Sequence, residues 1–264
     1  MREFKVSGLI TLKLEGDKTI IYVDGMEFRQ CKYLLLNIPV EQISSFDEID
    51  SVDEAAERLD HSEEPRKNTV KNIPPEVEFW GHCSNLQAWV ENDYDTRIIH
   101  SNLAFPLLRA LLVRGDPIAE RVVNEEVAKK LMRGTFNTIR YLLIEGYFDY
   151  LSDEEVQTIV SGESEKTKPE KIKKVSFKHM NFDALAEDIH GMTLKQFDFL
   201  INHPKFDFLA DFQEHFTERF KREKVFEPYE YIVDIFHKLE DLYEKKMLKE
   251  KYLPLFKKLR ELLY

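Results

Sequence analysis

Residues Pro74 to Leu112 read PPEVEFWGHCSNLQAWVENDYDTRIIHSNLAFPLLRALL, and they join a β-patterned beginning to a helix-patterned remainder. Pro74-Pro75 bars a helix from entering from upstream, and Pro75 suits a first helical position, where its missing N–H costs nothing. Glu76 and Glu78 follow in the first turn, where the helix dipole favours negative charge. At about 100° per residue, Phe79, Cys83, Leu86 and Val90 form one narrow apolar stripe. Val77, Gly81, Ser84 and Ala88 lie roughly opposite, small enough to admit a second backbone, so the pattern predicts a helix buried on two sides. Between these faces runs a polar row of Glu78, His82, Asn85 and Trp89.

Upstream, residues 4 to 38 have the alternation of a β-meander. In LITLKLE, Ile10, Leu12 and Leu14 share a face, and Gly16-Asp17 can close a tight turn before KTIIYV. Asp24-Gly25 is the strongest hairpin signal in the chain, and MEFRQCKYLLLNI carries a third strand to Pro39. Three strands are marginal alone, so their apolar face should pack on a helix. DSVDEAAERLD then reads as a short acidic helix, and HSEEPRKNTVKN as a loop.

Downstream the chain is helix after helix. Asp95 or Thr96 can cap a helix that Pro106 bends or restarts and Gly115 stops. Asp116-Pro117 opens another that ends near Gly134, and Thr135 opens one that Gly146 closes. Ser152 and Glu155 form a capping box, with Leu151 and Val156 as its staple. SGESEKTKPEKIKKVS is polar, lysine-rich and aperiodic, which marks a linker and a target for proteolysis. The remainder holds 12 of the 19 Phe residues. It has a second capping box at Thr193 and Gln196, an i+4 ladder of Phe208, Phe212, Phe216 and Phe220, and a stripe of Ile232, Phe236, Leu239 and Leu242. LPLFKKLRELLY closes as a short amphipathic helix. The fold class that follows is α+β and mostly α: a small N-terminal antiparallel β-meander, an irregular helical bundle or short α-solenoid, and a Phe-rich C-terminal helical segment. The boundaries fall at 1–72 for the meander with its acidic helix and loop, 73–162 for a helical module, 163–176 for the linker and 177–264 for a C-terminal helical domain.

Hydrophobic content of 43% with 33% charged residues over 264 residues describes a soluble globular chain. YLLL and LAFPLL are too short to span a bilayer, and MREFKVSG lacks the apolar core of a signal peptide, so the expectation is a cytoplasmic protein with no membrane partner. Two cysteines, Cys31 and Cys83, build no disulfide framework, and no CxxC pair is present. The net charge of −11 is local: residues 41–64 hold ten acidic residues against one Arg, leaving only −2 for the rest. That disfavours a nucleic-acid partner, for which Lys166, Lys168, Lys171, Lys173, Lys174 and the run RFKREK are the only material.

The segment FWGHCSNLQAWVENDYDTRIIHSNLAFPLL, with GDPIA and EEVAKKL after it, resembles a segment of uncharacterised archaeal proteins, where it often stands beside leucine-rich repeats. The resemblance covers roughly residues 4 to 155 and is strongest from Glu76 to Leu108. It brings no known activity; it implies a recurring module that tolerates different neighbours, as an adaptor would. This chain has no leucine-rich repeats, and the Phe-rich segment stands in their place.

The candidate binding residues are Glu78, His82, Asn85 and Trp89 on the polar row, with Asp93, Asp95 and Arg97 closing one side from NDYDTR and His100 facing back. Against a satisfied hydrogen-bond network stands a crevice for a ligand or partner. Cys83 beside His82 invites a thiol-hydrolase reading, but adjacent helix residues point about 100° apart, so His100 would have to be the base. A metal would draw on Glu78, His82, Asp93, Asp95 and His100, yet there is no HExxH, calcium loop or phosphate-binding glycine loop. The expectation is therefore an interaction or structural adaptor, not an enzyme, without cofactor or metal, partnered by another protein or by itself. A Cys/His hydrolase or metal-dependent enzyme around His82, Cys83 and His100 is the first alternative, and a nucleic-acid-associated protein the second.

Overall fold

The computed structural model describes residues 2–29, 49–58, 73–162, 188–223 and 230–263. It is α+β and mostly α, with an N-terminal antiparallel sheet followed by helices. The chain forms two compact units, residues 1–141 and 142–264.

The first unit opens with β1 (Arg2–Lys5), β2 (Ile10–Glu15), β3 (Lys18–Val23) and β4 (Met26–Phe28), paired in that order. The meander thus has a strand more than the alternation predicts. REFK is mostly exposed and carries no apolar signal; it joins through backbone pairing, with Phe4 opposite Leu12. Ser7 helps to turn it back, its Oγ accepting from Leu9 N at 3.2 Å and Ile10 N at 3.1 Å. In the β2–β3 turn only Gly16 takes a positive φ (61°), the type II′ pattern; at Asp24-Gly25 both do (51° and 74°), as type I′ requires. The remainder of the expected third strand, with Cys31, lies outside the described residues.

Ile10, Leu12, Ile21 and Val23 are buried on one face of the sheet, and α2 (Pro75–Glu91) packs on β2 and β3 with Phe79, Cys83, Leu86 and Trp89 buried. The cover expected for the sheet is therefore α2 itself. The expectation of two buried sides for α2 is not met: Val77, Gly81 and Ser84 are exposed, and a Cβ added at Gly81 would meet nothing within 4 Å. A single sheet layer shields one arc of a helix, so the small residues there face away from it. Trp89 replaces Val90 in the buried set. It sits roughly 80° round from Phe79, and its longer ring reaches inward from the edge of the stripe.

Helix α1 (Val52–Arg58) is the expected acidic helix. Helices α3 (Ser101–Val113) and α4 (Pro117–Arg133) pack together, burying Leu107, Leu108 and Leu111 on one and Val123 and Val127 on the other. Asp116 caps α4 and Gly134 ends it, as the sequence predicts. The start of α3 differs: its cap is His100, whose Nδ1 accepts from Asn102 N at 3.2 Å, because Asp95 and Thr96 are committed elsewhere.

The division between units falls inside α5 (Phe136–Ile144). The second unit continues with a 3-10 turn (Tyr147–Tyr150), α6 (Asp153–Ser161), α7 (Leu194–Asn202), α8 (Phe208–Glu223), α9 (Glu230–Glu244), a second 3-10 turn (Glu250–Tyr252) and α10 (Leu253–Leu263). Both predicted capping boxes form, Ser152 with Glu155 and Thr193 with Gln196. Gln196 also donates its Nε2 to Leu143 O at 2.7 Å, and Phe148 packs on Phe199 at 5.1 Å, so the stretch from Leu142 to Gly162 belongs with α7. Phe208, Phe212, Ile232, Phe236, Leu239 and Leu242 are buried as expected, while the side chains of Phe216 and Phe220 lie outside the description. The final helix docks at home: α10 packs on α9, with Phe256 stacked on Phe236 at 5.6 Å and Tyr243 at 5.0 Å. The lysine-rich stretch 163–176 lies outside the described residues.

Candidate functional site

The loop that leaves α2 is backbone-strained and held from three directions. Asp93 (φ 53°) and Tyr94 (φ 62°) both adopt the left-handed region, which for a bulky residue such as tyrosine costs on the order of 1–3 kcal/mol. Tyr94 is kept there by its N–H to Trp89 O (2.9 Å), by its ring against the Trp89 ring (4.6 Å), and by its hydroxyl donating to Asp116 Oδ2 (2.8 Å). Burial, reinforced by that carboxylate acceptor, pushes the Tyr94 hydroxyl pKa well up. The other oxygen of Asp116 accepts from Ile118 N and Ala119 N, both at 2.9 Å, so one carboxylate ties the α2 exit to the α4 start.

The next residues are fastened in turn. Asp95 holds Arg97 through both carboxylate oxygens at 2.6–3.0 Å, and the guanidinium keeps its carboxyl below the usual range. Buried Thr96 donates its N–H (3.0 Å) and its hydroxyl (2.8 Å) to Glu126 Oε2, while Lys129 reaches Glu126 Oε1 at 3.0 Å. Arg97 O accepts from Val52 N at 3.0 Å. At the head of α3, Asp53 Oδ1 accepts from Ser101 N (2.9 Å), and Oδ2 accepts from Ser101 Oγ (2.6 Å) and from the Lys130 ammonium. Asp53 is only 4% exposed and Lys130 6%. His100 uses Nδ1 as the cap acceptor, which leaves the ring proton on Nε2, 3.7 Å from Asp53 Oδ1. Each carboxylate here directs its oxygens at protein donors, so the network positions backbone.

The sequence-predicted residues distribute around this network. Glu78 pairs with His82 at 3.5 Å on the half-buried flank of α2. Asn85 is exposed, and Trp89 is fully buried in the core. Asp93 is exposed and pairs with Arg121 at 3.4 Å; Asp95 pairs with Arg97, and His100 faces Asp53. Cys83 lies on the buried stripe with its thiol pKa pushed up by burial to about 11, the opposite of the shift that makes a cysteine a nucleophile. Among the described residues, no three His, Cys, Asp or Glu side chains come together as a metal-holding group, and no helix is long and apolar enough to cross a membrane.

Sequence reasoning missed Asp53, Thr96, Ser101, Glu126 and Lys130 as a connected set. One signal was available. The buried residues of α4 are Ala119, Val122, Val123, Glu126, Val127, Lys130 and Leu131, an amphipathic stripe in which Glu126 and Lys130 are the only charged members. No family model, no curated protein and no solved structure matches the chain.

Proposed function

We propose that the protein is an interaction or structural adaptor, partnered by another protein or by a second copy of itself. The observation that carries this reading is the outward face of α2, where Val77 is 59% and Trp80 47% exposed. Trp80 is braced edge-on by Phe4 of β1 at 5.9 Å and by Phe79 at 5.2 Å. A large aromatic held in position has little rotamer freedom to lose on binding, and tryptophan is among the residue types enriched at interface hot spots. The buried, protonated thiol of Cys83 and the Glu126 and Asp53 carboxylates, both engaged by donors of the 92–101 loop, support the same reading over a hydrolytic one.

The test compares the wild-type chain with Trp80→Ala in cross-linked affinity capture from the source cell and in sedimentation velocity. The variant should lose partner recovery, or self-association, by about tenfold or more, as removal of a hot spot does. Its melting temperature should stay close to wild type. Equal recovery of the same proteins and unchanged sedimentation would reject the assignment.

A further inference from the structure

Few of the described side chains of α1 are buried against its unit. Among residues 51–56, only Asp53 and Ala55 are buried. The helix supplies its own start: Ser51 Oγ accepts from Glu54 N at 3.2 Å, and Glu54 Oε2 accepts from Asp50 N at 3.3 Å. Because this capping is internal, lifting α1 away disturbs no hydrogen bond within it. Its bonds to the rest of the unit include the Val52 N–H to Arg97 O bond and the set of donors around the Asp53 carboxylate.

That donor set is built to receive an anion. Ser101 N is the first N–H of α3, at the positive end of the helix dipole. The Ser101 hydroxyl, the buried Lys130 ammonium and the His100 ring converge on the same two carboxylate oxygens. Asp53 is the resident occupant, supplied by a seven-residue helix, shorter than the length at which helices hold themselves together in water.

We propose that α1 is a strap: it docks and undocks as a unit, and Asp53 acts as an intramolecular carboxylate ligand that closes the Ser101–Lys130–His100 receptor. The receptor remains competent for a free carboxylate when the strap is off. The inference stands on the geometry of α1 and does not depend on the adaptor reading.

Hydrogen exchange on the full chain, wild type beside Asp53→Ala and Asp53→Asn, tests it. In the wild type, the α1 amides should exchange about tenfold or more faster than those of α4, through opening short of global unfolding. Asp53→Ala should accelerate α1 by a further factor of about ten while α2 and α4 keep their protection. Sodium acetate should raise the melting temperature of Asp53→Ala more than sodium chloride of equal ionic strength, with no such difference in the wild type. If Asp53→Ala does not fold, Asp53→Asn, which keeps an acceptor for Ser101 and removes the charge, carries the same comparisons. The proposal is overturned if α1 and α4 exchange together in the wild type. It is equally overturned if the substitution speeds α1, α2 and α4 alike or leaves α1 unchanged, or if acetate acts no differently from chloride.

Discussion

Replacing Glu126 tests whether the 92–101 loop is held by the α4 carboxylate. Glu126 Oε2 accepts two hydrogen bonds from Thr96, one from N–H at 3.0 Å and one from the hydroxyl at 2.8 Å. A hydrogen bond to a charged group contributes about 1.5–3 kcal/mol, and stranding a buried N–H costs about 1–3 kcal/mol. Glu126→Ala removes both bonds and leaves buried Thr96 without this acceptor, so a loss of about 3–4 kcal/mol is expected. Glu126→Gln retains an amide oxygen for Thr96 and loses only the charge, for about 1–2 kcal/mol. At roughly 2–4 °C per kcal/mol for a chain of this size, the alanine variant should melt about 10 °C lower and the glutamine variant about 4 °C lower. Tryptophan fluorescence is the suitable probe, because Trp80 and Trp89 both lie in the first unit and report its unfolding alone. Thr96→Val, which keeps the N–H and deletes the hydroxyl, completes a double-mutant cycle with Glu126→Gln; the coupling should be on the order of 1 kcal/mol. A melt of Glu126→Ala within a degree of wild type, or strict additivity in the cycle, would refute the reasoning.

Cys83, buried and with a thiol pKa near 11, should react with a disulfide reagent at pH 8 only as fast as the unit opens, and Cys83→Ala should cost roughly 1–2 kcal/mol; fast labelling of the native protein would show the side chain accessible. Asp198, raised above its ordinary value by burial ahead of its other influences, makes the opposite of an ion-pair contribution. An acid whose folded pKa is raised gives stability while it is protonated and loses it as pH rises through the folded value. Asp198→Asn should therefore melt above wild type at pH 7, with the gap closing toward about pH 4; thermal melts showing a constant gap, or a less stable variant at pH 7, would contradict this.

Local chemistry was legible in the chain. Asp24-Gly25 turns with two positive φ values, Asp116 caps α4 one residue before Pro117, and Ser152 with Glu155 and Thr193 with Gln196 form their boxes. Each of these is decided between residues a few positions apart, where geometry follows from the backbone and leaves little for tertiary packing to override. The apolar stripes of α8 and α9 were legible for a related reason: period alone says which side chains share a face.

Period does not say what covers a face, and there the sequence stopped. Nothing in PEVEFWGHCSNLQAWVE tells whether its small residues meet a second backbone or water; the sheet covers one arc only, and Trp80 is left outside. Nor could Asp53 be told from its acidic neighbours in the 41–64 run, all of which read as solvated. Its partners Ser101 and Lys130 lie 48 and 77 residues away, and Thr96 meets Glu126 across 30. Those pairings exist only because α1 and α4 come to rest against the 94–101 segment. The local sequence determined where the helices and hairpin turns form; the packing of those elements decided which charges are buried, which are paired and which aromatic surface is left exposed.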